Sequence, residues 1–288
     1  MGGMVVQAPA KINLVLRVLG KRPDGYHEIE SIMQMVSLYD TLSFEEGGRG
    51  IVLETDHPDL PTGEENLIVR AARLVCDETG RRPKLRIGLV KRIPIAAGLG
   101  GGSSDAAAAL AGLNRLWGDP IPPKRLLMLA ETLGMDVPFF LNGPTALATG
   151  RGECLERLPS PSPPLSVLLV NPGIKVSTAL AYGALKLGLT TENKHISIRR
   201  FSIATFVEAR AVLENDLEQV TLKSHPEIRE IKDSLLKLGA LGALMSGSGS
   251  TVFGLFPDPE SAKTAERAFA AKPGHAVHLA QTLCAVPG

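Results

Sequence analysis

The chain has 288 residues, and 31 lysines and arginines against 30 aspartates and glutamates leave a net charge of +1, with no basic surplus for a nucleic-acid surface. Apolar residues make up 44%, enough for a packed core, yet no run approaches the roughly 18–20 apolar residues of a membrane span. Cys76, Cys154 and Cys284 have neither metal-ligand nor redox spacing, and an odd count without a secretory leader fits a reducing cytoplasm.

Residues 4–18 read as strand, turn, strand, with the turn at Ala8-Pro-Ala-Lys11 and alternation at Ile12, Leu14, Leu16 and Val18. Lys11 and Asn13 fall on the other face, where spacing alone makes Lys11 a solvated strand charge. Gly20-Lys-Arg-Pro-Asp-Gly25 is turn chemistry, and Tyr26, His27 and Glu28 follow it into an apolar strand. Strands continue over 42–53 around a Gly-rich loop. Glu64 to Glu78 carries a helical stripe that Gly80 ends. Lys84 to Pro94 alternates as a strand.

Next comes Pro94-Ile-Ala-Ala-Gly-Leu-Gly-Gly-Gly-Ser-Ser-Asp105, which runs into an alanine-rich helix expected from Ser104 to about Trp117. Gly98, Gly100, Gly101 and Gly102 let the backbone approach a ligand closely, and a helix N-terminus offers free N–H groups to an anion. A phosphate cradle is the reading, against a flexible turn with a serine cap. The stretch is neither of the common phosphate loops. The Walker pattern needs Lys-Ser/Thr after its last glycine, where Ser103 and Ser104 stand here. In the dinucleotide pattern counted from Gly98, Ser103 takes the place of the third glycine. Such a loop must draw positive charge from Mg²⁺ or from a distant lysine.

Pro122 to Leu133 reads as a helix stopped by Gly134, and Asp136, just before Val137-Pro138, is placed to cap the next one. Spacing does not choose between capping and an acid that faces a cleft. Pro159-Ser-Pro-Ser-Pro-Pro164 continues neither helix nor central strand, so the domain boundary is expected here, dividing 1–159 from 160–288. Beyond it come a buried strand at Val167–Val170, a helix capped at Ser177 or Thr178 that carries Tyr182, and a polar loop over 190–200. Helices are expected at 203–222, which includes Glu214-Asn-Asp216, and at 226–238. A strand, a Gly-Ser turn and a strand over 243–256, a helix at 259–271 and a last strand at 277–283 complete an α+β pattern. The six histidines form no metal-like pair, and no metal ligand can be named.

Three separated stretches, Ala8-Pro-Ala-Lys-Ile-Asn13, Pro94 to Ala108 and Met245-Ser-Gly-Ser-Gly-Ser-Thr251, resemble in kind and order those of the GHMP small-molecule kinases. Asp24-Gly-Tyr-His-Glu28 and Gly134-Met-Asp-Val-Pro-Phe-Phe140 look like the branch whose acceptor is a methylerythritol carried on cytidine diphosphate. The resemblance spans most of the chain. It implies a two-domain α+β GHMP kinase fold, with mixed and antiparallel sheets and the active site in the cleft between the domains. It implies ATP as co-substrate with Mg²⁺, a small-molecule substrate with a cytidine diphosphate group, and neither nucleic acid nor membrane as partner. Oligomeric state stays open. Asp136 matches the proposed base and Lys11 the lysine that pairs with it, which reverses the solvated reading of Lys11. Pro94, Gly98, Leu99, Gly100, Gly101, Gly102, Ser103 and Ser104 would hold the triphosphate, and Asn66 and Leu67 the adenine. Asn13, Tyr26, His27, Thr178, Tyr182, Gly247, Ser248 and Gly249 would serve the acceptor, with Tyr182 where a phenylalanine is usual. Ser103, Ser104 or Thr251 would approach Mg²⁺. A homoserine or mevalonate kinase, or a nucleotide-binding protein that kept the fold without catalysis, are the alternatives.

Overall fold

The structure is a computed structural model, and it describes residues 3–185, 213–270 and 274–287. Two long strands dominate its first half, β1 (Met4–Lys21) and β2 (His27–Glu46), paired antiparallel along nearly their whole length. With β3 (Gly50–Thr55) and β4 (Lys84–Val90) they form the order β3-β4-β2-β1, and β5 (Thr145–Gly150) and β6 (Cys154–Arg157) extend the sheet from β2. Helices α1 (Leu67–Thr79), α2 (Gly101–Leu116), α3 (Pro123–Leu133) and α4 (Val137–Asn142) belong to this half. A four-stranded antiparallel sheet, β11-β7-β10-β9, organises the second: β7 (Ser166–Asn171), β9 (Gly242–Met245), β10 (Val252–Phe256) and β11 (Ala276–Gln281). Around it lie α5 (Thr178–Gly183), α6 (Glu218–Ser224), α7 (Pro226–Lys237) and α8 (Pro259–Ala270).

The turn expected at Ala8–Lys11 is instead an irregularity inside one continuous strand, a shift in the β1–β2 register between Pro9 and Ala10. Proline has no N–H for the ladder, so a bulge is where a long strand tolerates it. The bulge turns the strand over. Val6 and Ala8 pack with buried residues of α1 and α2, whereas Ala10, Ile12 and Leu14 pack with Val167, Leu169 and Phe253 of the second sheet. Unbroken alternation would have sent all five to one face. One strand therefore contributes to two cores, and Lys11 and Asn13 emerge on the side of the glycine loop.

Two further expectations change. Helix α2 starts at Gly101, not Ser104; Gly100 is its N-cap with φ 69°, and the Ser104 amide already donates to the Gly100 carbonyl at 2.9 Å. The glycines are thus the first turn itself, and the free N–H groups belong to Gly101, Gly102 and Ser103. Glu214-Asn-Asp216 is not helical either. Glu214–Asn215 form a short strand, β8, parallel to Val15–Leu16 of β1. Asp216 accepts from the Val18 amide at 2.7 Å, and Arg17 donates to Glu214 at 2.7 Å. The unpaired outer edge of β1 captures this segment before α6 begins. The loop expected over 190–200 and the start of the helix expected from 203 lie outside the described residues.

Candidate active site

Helix α2, strand β1, the start of α4 and the turn between β9 and β10 converge on a cleft of about 520 Å³. Lys11 reaches it from β1 with only 5% of its surface exposed. Its Nζ donates to Asn13 Oδ1 at 2.6 Å and lies 3.7 Å from Asp136 Oδ2. A solvated lysine is excluded because the glycine loop covers it: the Lys11 amide donates to the Leu99 carbonyl, and a Cβ on Gly100 would stand 3.0 Å from Lys11 Cγ. Asp136 does sit at the N-cap position of α4, yet its side chain makes no capping hydrogen bond. Pro138 in the first turn removes one donor it could have bonded. The carboxylate is left free to face Lys11.

Asn13 is held rather than free: its Nδ2 donates to Ser31 Oγ at 2.8 Å, and Ser31 donates to the Val15 carbonyl. Ser246 ties three parts together, since its hydroxyl accepts from the Asn13 amide at 3.3 Å and donates to the Gly98 carbonyl at 2.9 Å. Gly98 has φ 78°, and a Cβ there would lie 2.0 Å from the Ser246 carbonyl oxygen. Gly247, with φ 57°, packs against Gly98 from the other side. Two backbones in close contact join the halves of the chain here; Gly98 has no room for a side chain, and a Cβ on Gly247 would be tight, 3.2 Å from the Gly98 carbonyl oxygen.

Of the residues singled out in the sequence, Lys11, Asn13, Asn66, Leu67, Pro94, Gly98, Gly100, Gly101, Gly102, Ser103, Asp136, Thr178, Tyr182, Gly247 and Ser248 line this cleft. Asn66 caps α1, accepting from the Ile68 amide at 2.9 Å and donating to the Pro61 carbonyl. Thr178 Oγ1 and Ser248 Oγ are hydrogen-bonded at 2.9 Å. Five residues are elsewhere. Leu99 is buried in the core beneath the loop, and Gly249 packs against Met245. Ser104 is one turn into the helix and faces a different cavity, because the helix starts three residues earlier than expected. Tyr26 is half exposed, with the Arg151 guanidinium 5.2 Å from its ring centroid. His27 lies next to the cleft wall, its ring 5.1 Å from that of Tyr182. Burial pushes the Tyr182 phenol up to about 12, and the charge of Asp136 adds to the effect.

One cluster was not legible beforehand. Lys91 Nζ bridges Asp40 and, at 2.8 Å, Asp105, all three buried under the start of α2. Asp40 also accepts from the amides of Arg92 and Ile93. Two carboxylates share one ammonium, and Asp105 Oδ1 has no partner. Burial pushes the Asp105 carboxyl up to about 7; Lys91 opposes this and Asp40 reinforces it. The native state therefore keeps a proton at Asp105 that the unfolded chain releases near 3.8. Between those limits the native state binds more protons, so stability falls as pH rises. Asp105→Asn is expected to flatten that part of the profile, measured as thermal midpoints from pH 4 to pH 8. An unchanged slope would place the titration on another group.

The cleft suits a triphosphate, since three unbonded amides open α2 beside it. Its fit to Mg²⁺ is narrower. No group of three metal-binding side chains occurs among the described residues. Thr251 is fully buried and accepts from Asn171, and Ser104 is outside the cleft, so of the hydroxyls considered only Ser103 faces the space. Phosphate and water oxygens would have to supply most of the ion's ligands, as they commonly do for Mg²⁺.

Comparison with known proteins bears on this cleft. Residues 66–144 match the GHMP kinases N terminal domain, and residues 197–275 match the GHMP kinases C terminal domain. The chain is 53% identical over 259 residues to a 4-diphosphocytidyl-2-C-methyl-D-erythritol kinase of Pelotomaculum thermopropionicum, covering 89% of this chain and 90% of the relative. It is 48% identical to the kinase of the same name from Syntrophus aciditrophicus, with 93% and 95% covered. A crystal structure of a 4-(cytidine 5'-diphospho)-2C-methyl-D-erythritol kinase superposes with a TM-score of 0.81 at 38% identity, over 97% of this chain and 99% of that one. A homoserine kinase from Cytophaga hutchinsonii shares the fold, with a TM-score of 0.79 at 22% identity over 100% and 97% of the two chains.

Proposed function

Because the chain belongs to the GHMP kinases, and among them to the 4-diphosphocytidyl-2-C-methyl-D-erythritol kinases, we propose that it transfers the γ-phosphoryl group of ATP to the C2 hydroxyl of 4-diphosphocytidyl-2-C-methyl-D-erythritol. This is a step in the non-mevalonate synthesis of isoprenoid precursors. The observation that carries the reading is the Lys11–Asp136 pair, 3.7 Å apart in the same cleft as the glycine turn of α2.

Phosphoryl transfer asks a protein for positioning and charge neutralisation more than for covalent chemistry. Asp136 accepts the proton of the C2 hydroxyl as the oxygen bonds to phosphorus. Lys11, fixed by Asn13, keeps that carboxylate in place and offsets charge on the phosphoryl oxygens. The amides of Gly101, Gly102 and Ser103 hold the phosphates, and Asn66 and Leu67 border the adenine. ATP supplies the transferred group; Ser103 is the hydroxyl that would help hold Mg²⁺, whose charge would offset that of the phosphates. Tyr26, His27 and Tyr182 form the cytosine end, where rings stack and His27 offers a polar edge. Thr178, Gly247 and Ser248 border the acceptor's phosphates. We place the division of labour at about residue 160, with nucleotide and catalytic groups before it and acceptor groups mostly after. A cytoplasmic location suits three unpaired cysteines.

The test is ADP release with ATP, Mg²⁺ and a panel of acceptors. Turnover with the diphosphocytidyl acceptor is expected; turnover only with mevalonate or homoserine would overturn the substrate, and none at all would leave a binding protein. His27→Ala is expected to raise KM for the cytidyl acceptor by about tenfold while KM for ATP holds. A change confined to ATP would remove His27 from the acceptor side.

A further inference from the structure

From the turn between β9 and β10, Gly247 and Ser248 line the cleft. A Cβ on Gly247 would stand 3.5 Å from Asn13 Oδ1, the atom that holds the Lys11 ammonium, so the turn adjoins the Lys11–Asp136 pair. What bare backbone does to a phosphate depends on which way each peptide faces, because an N–H attracts the anion and a carbonyl oxygen repels it. Gly247, with φ 57° and no Cβ, imposes little orientation of its own. Contacts from outside the turn must set it.

Those contacts converge on the carbonyls. The Asn215 side-chain amide donates to the Met245 carbonyl at 2.7 Å and to the Gly247 carbonyl at 2.8 Å, so both of its hydrogens are used on this turn. Its Oδ1 accepts from the Leu217 amide at 3.0 Å, and the residue is buried. Strand β8 fixes Asn215 in turn by pairing with β1 at Leu16. From α6, Thr221 donates to the Ser248 carbonyl at 3.3 Å, and Glu218 accepts from the Met245 amide at 3.1 Å. By contrast, the amides of Gly247 and Ser248 have no hydrogen-bond partner among the described residues. The C=O and N–H of a planar trans peptide point in opposite directions. Holding the Gly247 carbonyl therefore turns the Ser248 amide away from Asn215, which does not itself line the cleft. Two successive unbonded amides of this kind suit an anion.

We propose that Asn215 is a positioning residue for the kinase reaction: by fixing the Met245 and Gly247 carbonyls it presents the Gly247 and Ser248 amides to a phosphate of the acceptor. The inference rests on the function proposed above, which puts this turn at the acceptor's phosphates. Asn215 lies behind the turn, touches no substrate and acts only through the backbone it holds.

Asn215→Asp keeps the shape and the acceptor for the Leu217 amide but, ionised, offers no hydrogen to either carbonyl. Steady-state kinetics with the diphosphocytidyl acceptor is expected to show its KM raised about tenfold or more, with kcat and KM for ATP within about threefold of the unmodified protein. A residue that served only the fold would lower the active fraction, and so kcat, without separating the two KM values. Thr221→Val, which loses only the donor to the Ser248 carbonyl, is expected to raise the same KM by about threefold, and it decides the matter if Asn215→Asp does not fold. An acceptor KM unchanged in the folded variants, or equal rises in both KM values, would overturn the inference alone. No turnover of that acceptor by the unmodified protein would overturn the proposed function and the inference with it.

Discussion

Asp136→Asn is expected to lower kcat by about 10²-fold or more at saturating ATP and acceptor, with little change in thermal stability. The side chain is an N-cap by position only; it makes no capping bond, so the isosteric amide costs the helix nothing it was using. What the variant loses is proton-accepting capacity and the negative charge 3.7 Å from Lys11 Nζ. Lys11 keeps its hydrogen bond to Asn13, so the ammonium stays where it is. Phosphate binding depends on the α2 amides, so KM for ATP should move little. Removal of the charge should also lower the Tyr182 phenol from about 12, because Asp136 contributes to that rise. Rapid-quench turnover with a parallel melting curve measures both. A kcat within a fewfold of the unmodified enzyme would remove the general-base role and leave Asp136 as a group that orients the hydroxyl.

Gly98→Ala is expected to be the more damaging change overall, costing on the order of 3 kcal/mol or more of stability together with most of the activity. Two penalties add. A φ of 78° is unfavourable for any residue with a Cβ, by roughly 1–2 kcal/mol. The added carbon would also meet the Ser246 carbonyl oxygen at 2.0 Å, and that atom is backbone, with no rotamer to escape through. Relief requires the turn around Ser246 to move away from the glycine loop, which breaks the Ser246–Gly98 hydrogen bond and frees Asn13. Gly102→Ala is the control, because a Cβ there meets nothing within 4 Å. Denaturant melts of the two variants separate the outcomes. Equal stability would mean that the loop and the turn are not in contact in solution.

The local chemistry of this chain was readable in advance, and its long-range arrangement much less so. Gly-rich turns, the stripe of α1 and the stop at Gly80 follow from backbone sterics and periodicity. Lys11 and Asp136 could be paired only by resemblance, since each alone had an ordinary reading as a surface charge and a cap. Proline marks a turn and a bulge alike, so the sequence does not separate the two at Pro9, and only the length of β2 opposite decides. Serine is the commoner N-cap, so the sequence sets the start of α2 at the serines, whereas the N-cap is Gly100, with φ 69° and no side-chain cap. Lys91 with Asp40 and Asp105 was hidden by separations of 51 and 14 residues. Glu214–Asn215 became a strand because an unpaired edge was available, a property of the assembled sheet and not of the segment.

That last pairing bears on the order of events during synthesis. The strand that carries Lys11 leaves the ribosome some 200 residues before Asn215, which pairs with it and donates to the carbonyls of Met245 and Gly247. Until then the edge of β1 beside Val15 and Leu16 has open backbone groups that another strand could claim. Contacts this distant in sequence slow folding and prolong the exposure of partly formed sheet. The nascent first half is thus the stage at which this chain is most exposed to misassembly, and the segment that closes the edge is the same one that fixes the Met245–Thr251 turn against the glycine loop. Completion of the sheet and completion of the cleft are a single late event.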